Sequence, residues 1–174
     1  MDILKIIDTI KREGVRVMKI LACTDGSEHS RKALVKAAEI ASGCRADEVA
    51  VIHVYEETLD ISAFPMFEPG SITKDSVTKE DVEKMQKLRD ELDAQRNKIL
   101  DDALEIFNQK GIKAKPILKQ GHPAETIVDV ASENNFDMIV LGSRGFGGLK
   151  KILLGSVSNA VLQEAKSCSV LTVK

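Results

Sequence analysis

The chain has 174 residues, 43% of them apolar and 30% charged, and a formal net charge of −2, which is the size and balance of one soluble globular domain. That charge argues against nucleic acid or an anionic membrane as the main partner, and no apolar run reaches the ~18 to 20 residues of a membrane span. Three widely spaced cysteines (Cys23, Cys44 and Cys168) without a C-x-x-C exclude a disulfide framework or zinc site and point to a reducing, cytoplasmic compartment.

Residues 1–17 carry Ile3, Ile6, Ile7 and Ile10 at helical spacing among charges, so an N-terminal helical extension with one sticky face is expected. It is expected to pack on its own domain or be poorly ordered, with a partner or dimer contact as the alternative. Val17 to Cys23 reads as the first strand, and Ser27 to about Ser42 as a helix with Ala33, Leu34, Ala37, Ala38 and Ala41 on one face. Glu48 to Tyr55 is the second strand. Residues 56–77 form a long irregular stretch with Pro65, Pro69 and Gly70 beside Phe64, Met66 and Phe67. Loops of that length are functional or disordered.

A long helical pattern follows from about Thr78 to Gln109, opened by a capping-box-like Thr78-Lys79-Glu80-Asp81 and ended by Gly111. Lys113 to Lys119 is the third strand. His122-Pro123 opens a helix that Asn134-Asn135 closes, with His122 expected to cap it. Residues 137–142 are the fourth strand, Gly155 to about Ala165 the last helix, and Cys168 to Val173 the last strand. Strands separated by helices mean a parallel sheet with right-handed crossovers, covered on both faces. The fold class is a single-domain, doubly wound α/β fold.

Two loops carry chemistry. In an open parallel sheet, ligands bind beyond the carboxyl ends of the strands where the strand order reverses. After the first strand comes Thr24-Asp25-Gly26-Ser27, and after the fourth Gly142-Ser143-Arg144-Gly145, followed at a distance by Gly155-Ser156. Glycines at a strand exit turn the chain sharply and bring backbone N–H groups close to a bound group. A helix opened by Gly155-Ser156 offers free N–H groups and a positive dipole end to an anion. Tight-turn geometry alone is the other reading of these glycines. Asp25 accepts from a ribose or helps hold a metal on phosphates, or else it is an N-cap or Asx-turn residue. Arg144, Lys150 and Lys151 add positive charge nearby, while Ser143, Ser156 and Ser158 add hydroxyls. His53 reads as a hydrogen-bonded structural residue, and Cys23 and Cys168 as small core residues. No P-loop, dinucleotide fingerprint or nucleophile elbow is present.

Gly142-x2-Gly145-x9-Gly155-Ser156, with Thr24-Asp25-Gly26-Ser27 after the first strand and Val51-Ile52-His53-Val54 in the second, resembles the ATP-binding branch of the universal stress protein family over about residues 18–174. The resemblance implies a five-stranded sheet in order 3-2-1-4-5, of the adenine nucleotide alpha hydrolase-like kind, with an adenine nucleotide across its carboxyl edge. Asp25 would hold the ribose, with Thr24 beside it, and the Val54 backbone would meet the adenine. Gly142, Gly145, Gly155, Ser156 and Val157 would surround ribose and phosphates, with Ser143 and Arg144 lining the same loop. The phosphates would carry any Mg2+ or Mn2+. A homodimer through the last strand, residues 168–174, is implied too. Residues 1–17 precede the family's usual start, and Ser169 stands where a proline is frequent.

The function expected is a nucleotide-dependent regulatory or stress-response module, in which bound ATP sets a conformation read by a protein partner. Slow ATP hydrolysis and a nucleotide-free interaction module are the alternatives. The intact glycines disfavour the latter, and the lack of a positioned general base disfavours the former. Valine at Gly142 or Gly155 is expected to abolish binding and leave the fold.

Overall fold

The computed structural model describes residues 18–56, 79–145 and 154–174. Residues 1–17, all of the 56–77 stretch but Glu56, and Thr78, Lys150 and Lys151 lie outside the described residues. Five strands, β1 (Lys19–Cys23), β2 (Glu48–Tyr55), β3 (Lys115–Gln120), β4 (Met138–Gly142) and β5 (Ser169–Val173), alternate with four described helices. These are α1 (Glu28–Cys44), α2 (Lys79–Asn108), α3 (Pro123–Glu133) and α4 (Ser156–Glu164). All pairings are parallel, in the order β3-β2-β1-β4-β5. The expected doubly wound sheet and its strand order are present.

Alternation along the strands divides the core in two, because successive side chains leave opposite faces. Ile20, Ala22, Val49, Val51 and Val140 pack with the alanine face of α1 and with Leu100, Ala103 and Phe107 of α2. Leu21, Cys23, Ala50, Ile52, Ile139 and Leu141 pack with α3 and with Val161 of α4. With both faces covered, the buried stretches Ile20–Cys23, Val49–Ile52 and Ile139–Leu141 are apolar on both sides. Cys23 is a core residue as expected, and Cys168 is half-buried against the same cluster.

Helix ends follow local chemistry. Ser27 caps α1, accepting from the Ser30 N–H at 3.2 Å, and Arg45 ends the helix in the left-handed region at φ 52°. Pro123 takes the first turn of α3. His122 holds the N-cap position, but its side chain makes no capping hydrogen bond. Gly111, at φ +70°, follows α2 as the sequence suggests. β1 and β3 start two residues later than their apolar runs predict, since their first partners are Glu48 and Ala50.

At the amino edge, Glu48 ties three strands. Its carboxylate meets Lys115 Nζ at 2.8 Å and Lys19 Nζ at 3.0 Å. The Lys115 hydrogen bond, then that of Lys19, holds the Glu48 carboxyl below its ordinary value. At the other edge, α1 lies on β4 with almost no gap. A Cβ at Gly142 would stand 2.8 Å from the His29 carbonyl carbon and 2.9 Å from the Ser30 nitrogen, both backbone atoms that cannot swing away. The expectation that Gly142 can become valine without harm to the fold is therefore overturned.

Two outcomes follow. Gly142→Ala lowers stability by ~1–3 kcal/mol through overpacking, read as a shift of the urea midpoint with an unchanged slope. A midpoint equal to wild type would contradict that contact. For Glu48, a depressed folded pKa means its contribution is complete above the unfolded value of 4.5 and is lost as pH falls through the folded value. Glu48→Gln costs at most ~1 kcal/mol at neutral pH, because the lysines are solvated. The difference from wild type shrinks in acid, and a constant difference across that range would exclude the ion pair as its cause.

Candidate functional site

β1 and β4 are neighbours, although the chain visits β2 and β3 between them, so the strand order reverses at this pair. Their following loops leave side by side at the carboxyl edge. The first loop is locked from within. Thr24 donates its N–H to Ile52 O at 2.9 Å, and its carbonyl accepts from His53 Nδ1 at 2.9 Å. His53 is thus the buried, hydrogen-bonded structural residue expected. Gly26 takes φ +85° and donates to Thr24 Oγ1 at 3.1 Å. The Ser27 N–H donates to Asp25 Oδ1 at 2.9 Å, which makes Asp25 an Asx-turn residue through one oxygen.

The other oxygen does something else. Asp25 Oδ2 lies so close over Gly145 that a Cβ there would collide with it. The carboxylate therefore faces the glycine loop across the crevice, with its Asx-turn bond made through the other oxygen. On the opposite lip, Ser143 donates its N–H to Val173 O at 2.7 Å and accepts at its carbonyl from the Gly155 N–H at 2.8 Å. Ser158 Oγ donates to Gly142 O at 2.7 Å. These three bonds clamp the end of β4, the end of β5 and the start of α4 together.

Gly155 is the N-cap of α4 and supplies no side-chain cap, so the leading N–H groups of that helix are left unpaired by the helix itself. Its φ is −70°, which any residue adopts, and a Cβ there would make only ordinary contacts of 3.5 Å and more. The fold does not ask for glycine at 155.

Between the lips lies a cavity of about 510 Å3, within the usual range of small-molecule sites. Thr24, Asp25, Val54, Gly142, Arg144, Gly145, Gly155, Ser156 and Val157 all line it. Ser143 does not line it; it is 2% exposed, and its backbone is committed to holding the loop. Sequence reasoning did not single out the apolar walls. Ile52 stands two residues from Val54 on one face of β2, Leu141 precedes Gly142, and Pro123 and Ile127 stand a turn apart on α3. The i, i+2 and i, i+4 spacings were available as signals for these walls. Cys23 and Ser30 complete the floor, and Ser158 joins the rim.

Among the described residues that line the cavity, Asp25 and Arg144 are the charged ones. Burial first, and then Cys168, pushes the Cys23 thiol far up, so it is a protonated wall atom rather than a nucleophile. The arrangement joins an apolar slot, one carboxylate, one guanidinium and an uncapped helix start.

A family model described as the universal stress protein family matches residues 17–174. The universal stress protein YxiE of Bacillus subtilis is 36% identical over 156 residues, which is 90% of this chain and 98% of that protein. Among solved structures, a universal stress protein in complex with cAMP superposes with a TM-score of 0.58 at 23% identity, over 90% of this chain and 96% of that one. The universal stress protein from Archaeoglobus fulgidus in complex with dAMP gives 0.55 at 21%, over 92% and 99%. At those identities the structural likeness is one of fold, whereas the family match rests on the sequence. With the glycine loop, the carboxylate across from it and the strand order all in place, this chain belongs to the universal stress protein family.

Proposed function

We propose that the cavity binds an adenine nucleotide, with ATP as the physiological ligand, and that the protein works as a nucleotide-dependent regulatory module. The observation that carries this reading is Gly155. It lines the cavity at an uncapped helix start, in a conformation and a space where the fold tolerates a side chain. Glycine there leaves room for something outside the chain to approach the α4 N–H groups, and an anion is what those groups attract. The cAMP and dAMP complexes of two proteins of the same fold support an adenine nucleotide as that ligand.

In this reading the free Asp25 oxygen accepts from the ribose, and the Val54 backbone at the end of β2 meets the base. Ile52, Pro123 and Ile127 wall the base from water. The N–H groups of Ser156 and Val157 hold the phosphates, with Gly142 and Gly145 giving close backbone approach and Arg144 adding charge. A Mg2+ or Mn2+ ion would be carried by the phosphates, with Asp25 the one carboxylate among the described lining residues. Binding is favoured over turnover. That carboxylate already accepts from Ser27 and faces Gly145, the described lining residues include no histidine or lysine, and the thiol among them is kept protonated.

Homodimerisation through residues 168–174, and a cytoplasmic place of action read out by a protein partner, belong to the same proposal. β5 ends the sheet, and its Val170, Leu171, Thr172 and Val173 are only half-buried. Val173 O and the Ser169 N–H point to β4, so the N–H groups of Val170 and Thr172 point outward to a second strand.

Denaturing the purified protein and identifying the released nucleotide tests the ligand directly. By calorimetry, Gly155→Val weakens ATP binding at least tenfold (~1.4 kcal/mol) while the protein still unfolds cooperatively, its melting temperature lowered by no more than the few degrees that a poorer N-cap costs. Wild-type affinity in Gly155→Val would sink the site assignment. Multiple-turnover phosphate release above background, abolished in Asp25→Ala, would replace the binding module with a hydrolase. Thr172→Pro removes an outward N–H and leaves the β4 ladder intact, so it yields folded protein that no longer pairs through β5. A variant that keeps the same β5 pairing would rule that interface out.

A further inference from the structure

Asp25 can serve a ligand only if its free oxygen points across the crevice. The Ser27 N–H holds Oδ1 at 2.9 Å, which fixes the carboxylate to its own turn. The turn must in its place be fixed to the rest of the domain. Its outer side is covered by Ile99, on the apolar seam of α2 that continues through Ala103 and Phe107. Side-chain carbons of Ile99 would stand 3.2 to 3.6 Å from a Cβ at Gly26. The inner side of the turn is held by the buried hydroxyl residues Thr24, Ser27 and Ser30.

Proton counting gives the direction of each bond in that cluster, since a hydroxyl donates once and accepts up to twice. Ser30 Oγ donates to the Ser27 carbonyl at 2.9 Å, which uses its one proton. Between Thr24 Oγ1 and Ser30 Oγ, 3.3 Å apart, Thr24 is therefore the donor. Thr24 Oγ1 in turn accepts from the Gly26 N–H at 3.1 Å. The bonds thus run one way, from the Gly26 N–H through Thr24 and Ser30 to the Ser27 carbonyl. They begin on the peptide that follows Asp25 and end where α1 starts, so they close a ring around the turn.

Ser30 lines the cavity, yet its hydroxyl has nothing left for a ligand. Its proton goes to Ser27 O, and its two acceptor positions take Thr24 Oγ1 and, at 3.4 Å, Ser27 Oγ. Its backbone is committed as well. The Ser30 nitrogen is one of the atoms that would stand 2.9 Å from a Cβ at Gly142. One residue therefore touches both lips of the crevice: its backbone rests on the end of β4, and its side chain holds the Asp25 turn.

We infer that Ser30 is a positioning residue of the site, one that aims the free Asp25 oxygen over Gly145 and so sets a preference for ligands that present ribose hydroxyls. This rests on Asp25 being the ribose acceptor. The Thr24–Ser30 bond is long, so its share lies at the low end of what one hydrogen bond contributes. The phosphate seat does not depend on it, because the start of α4 is tied to β4 and β5 through Ser143 and Ser158.

Calorimetry on the full chain with ATP and with 2′,3′-dideoxy-ATP, which lacks both hydroxyls, tests this. Wild type binds ATP more tightly than the dideoxy analogue, and Asp25→Ala brings the two affinities together. In Ser30→Ala the ratio of the two affinities falls about threefold (~0.7 kcal/mol). Thr24→Val, close in shape but without the hydroxyl, lowers the ratio as much, and Thr24→Ser restores it. A general loosening of the fold weakens both ligands alike and leaves the ratio where it was. A wild-type ratio in Ser30→Ala, equal losses for both ligands, or no recovery in Thr24→Ser overturns the inference and leaves the ribose reading standing. A ratio of one in the wild-type protein removes the ribose reading, and the role of Ser30 with it.

Discussion

The absence of a side chain at Gly142 is the constraint on which the candidate site depends. It lets the first turn of α1 rest backbone against backbone on the end of β4, at a separation no Cβ would survive. The close seat draws the Asp25 turn and the Ser143–Gly145 loop to the two sides of one crevice. Ser158 then bonds the Gly142 carbonyl, and the Ser143 backbone ties β5 to α4. Widening that contact by a methyl group would separate the lips before any ligand was considered. Packing and site geometry are here the same interaction seen from two sides.

The three glycines that stand out in the sequence are glycine for three different reasons. Gly142 is required by a helix backbone, and Gly145 by a carboxylate oxygen directly above it. At Gly155 neither the conformation nor the neighbours demand glycine. Spacing alone presents them as one motif with one purpose. The structure separates a fold residue, a residue that positions Asp25, and a residue whose vacancy opens to the cavity. Only the last argues for a ligand by itself, because only there does the protein gain nothing internal from losing the side chain.

Much of this was legible in the chain. Strands and helices follow from alternation and from three- and four-residue periodicity, and the ends of α1, α2 and α3 lie within two residues of the sequence reading. The strand order came through the family resemblance, since periodicity does not say which strands are neighbours. Nine of the ten nominated site residues share one cavity. The walls were harder. Ile52 reads as a strand residue and Pro123 as a helix start, and Ile127 does not stand out, because an apolar side chain facing a ligand has the same periodicity as one facing a helix. Ser143 failed the other way: a serine in a glycine loop reads as a ligand hydroxyl, yet it is buried and serves through its backbone. A sequence shows which groups a residue carries and not which of them the fold has already used.

The same distinction bears on α2. Its seam looks uniform in sequence, and only the sheet decides that Leu100, Ala103 and Phe107 are covered while Val82, Met85, Leu88 and Leu92 are not. The change from covered to bare falls at Arg96 and Ile99, which touch Tyr55 and Gly26. Tyr55 follows Val54, and Gly26 is the hinge of the turn that presents Asp25. The helix therefore leaves the domain by leaning on the two segments proposed to hold base and ribose.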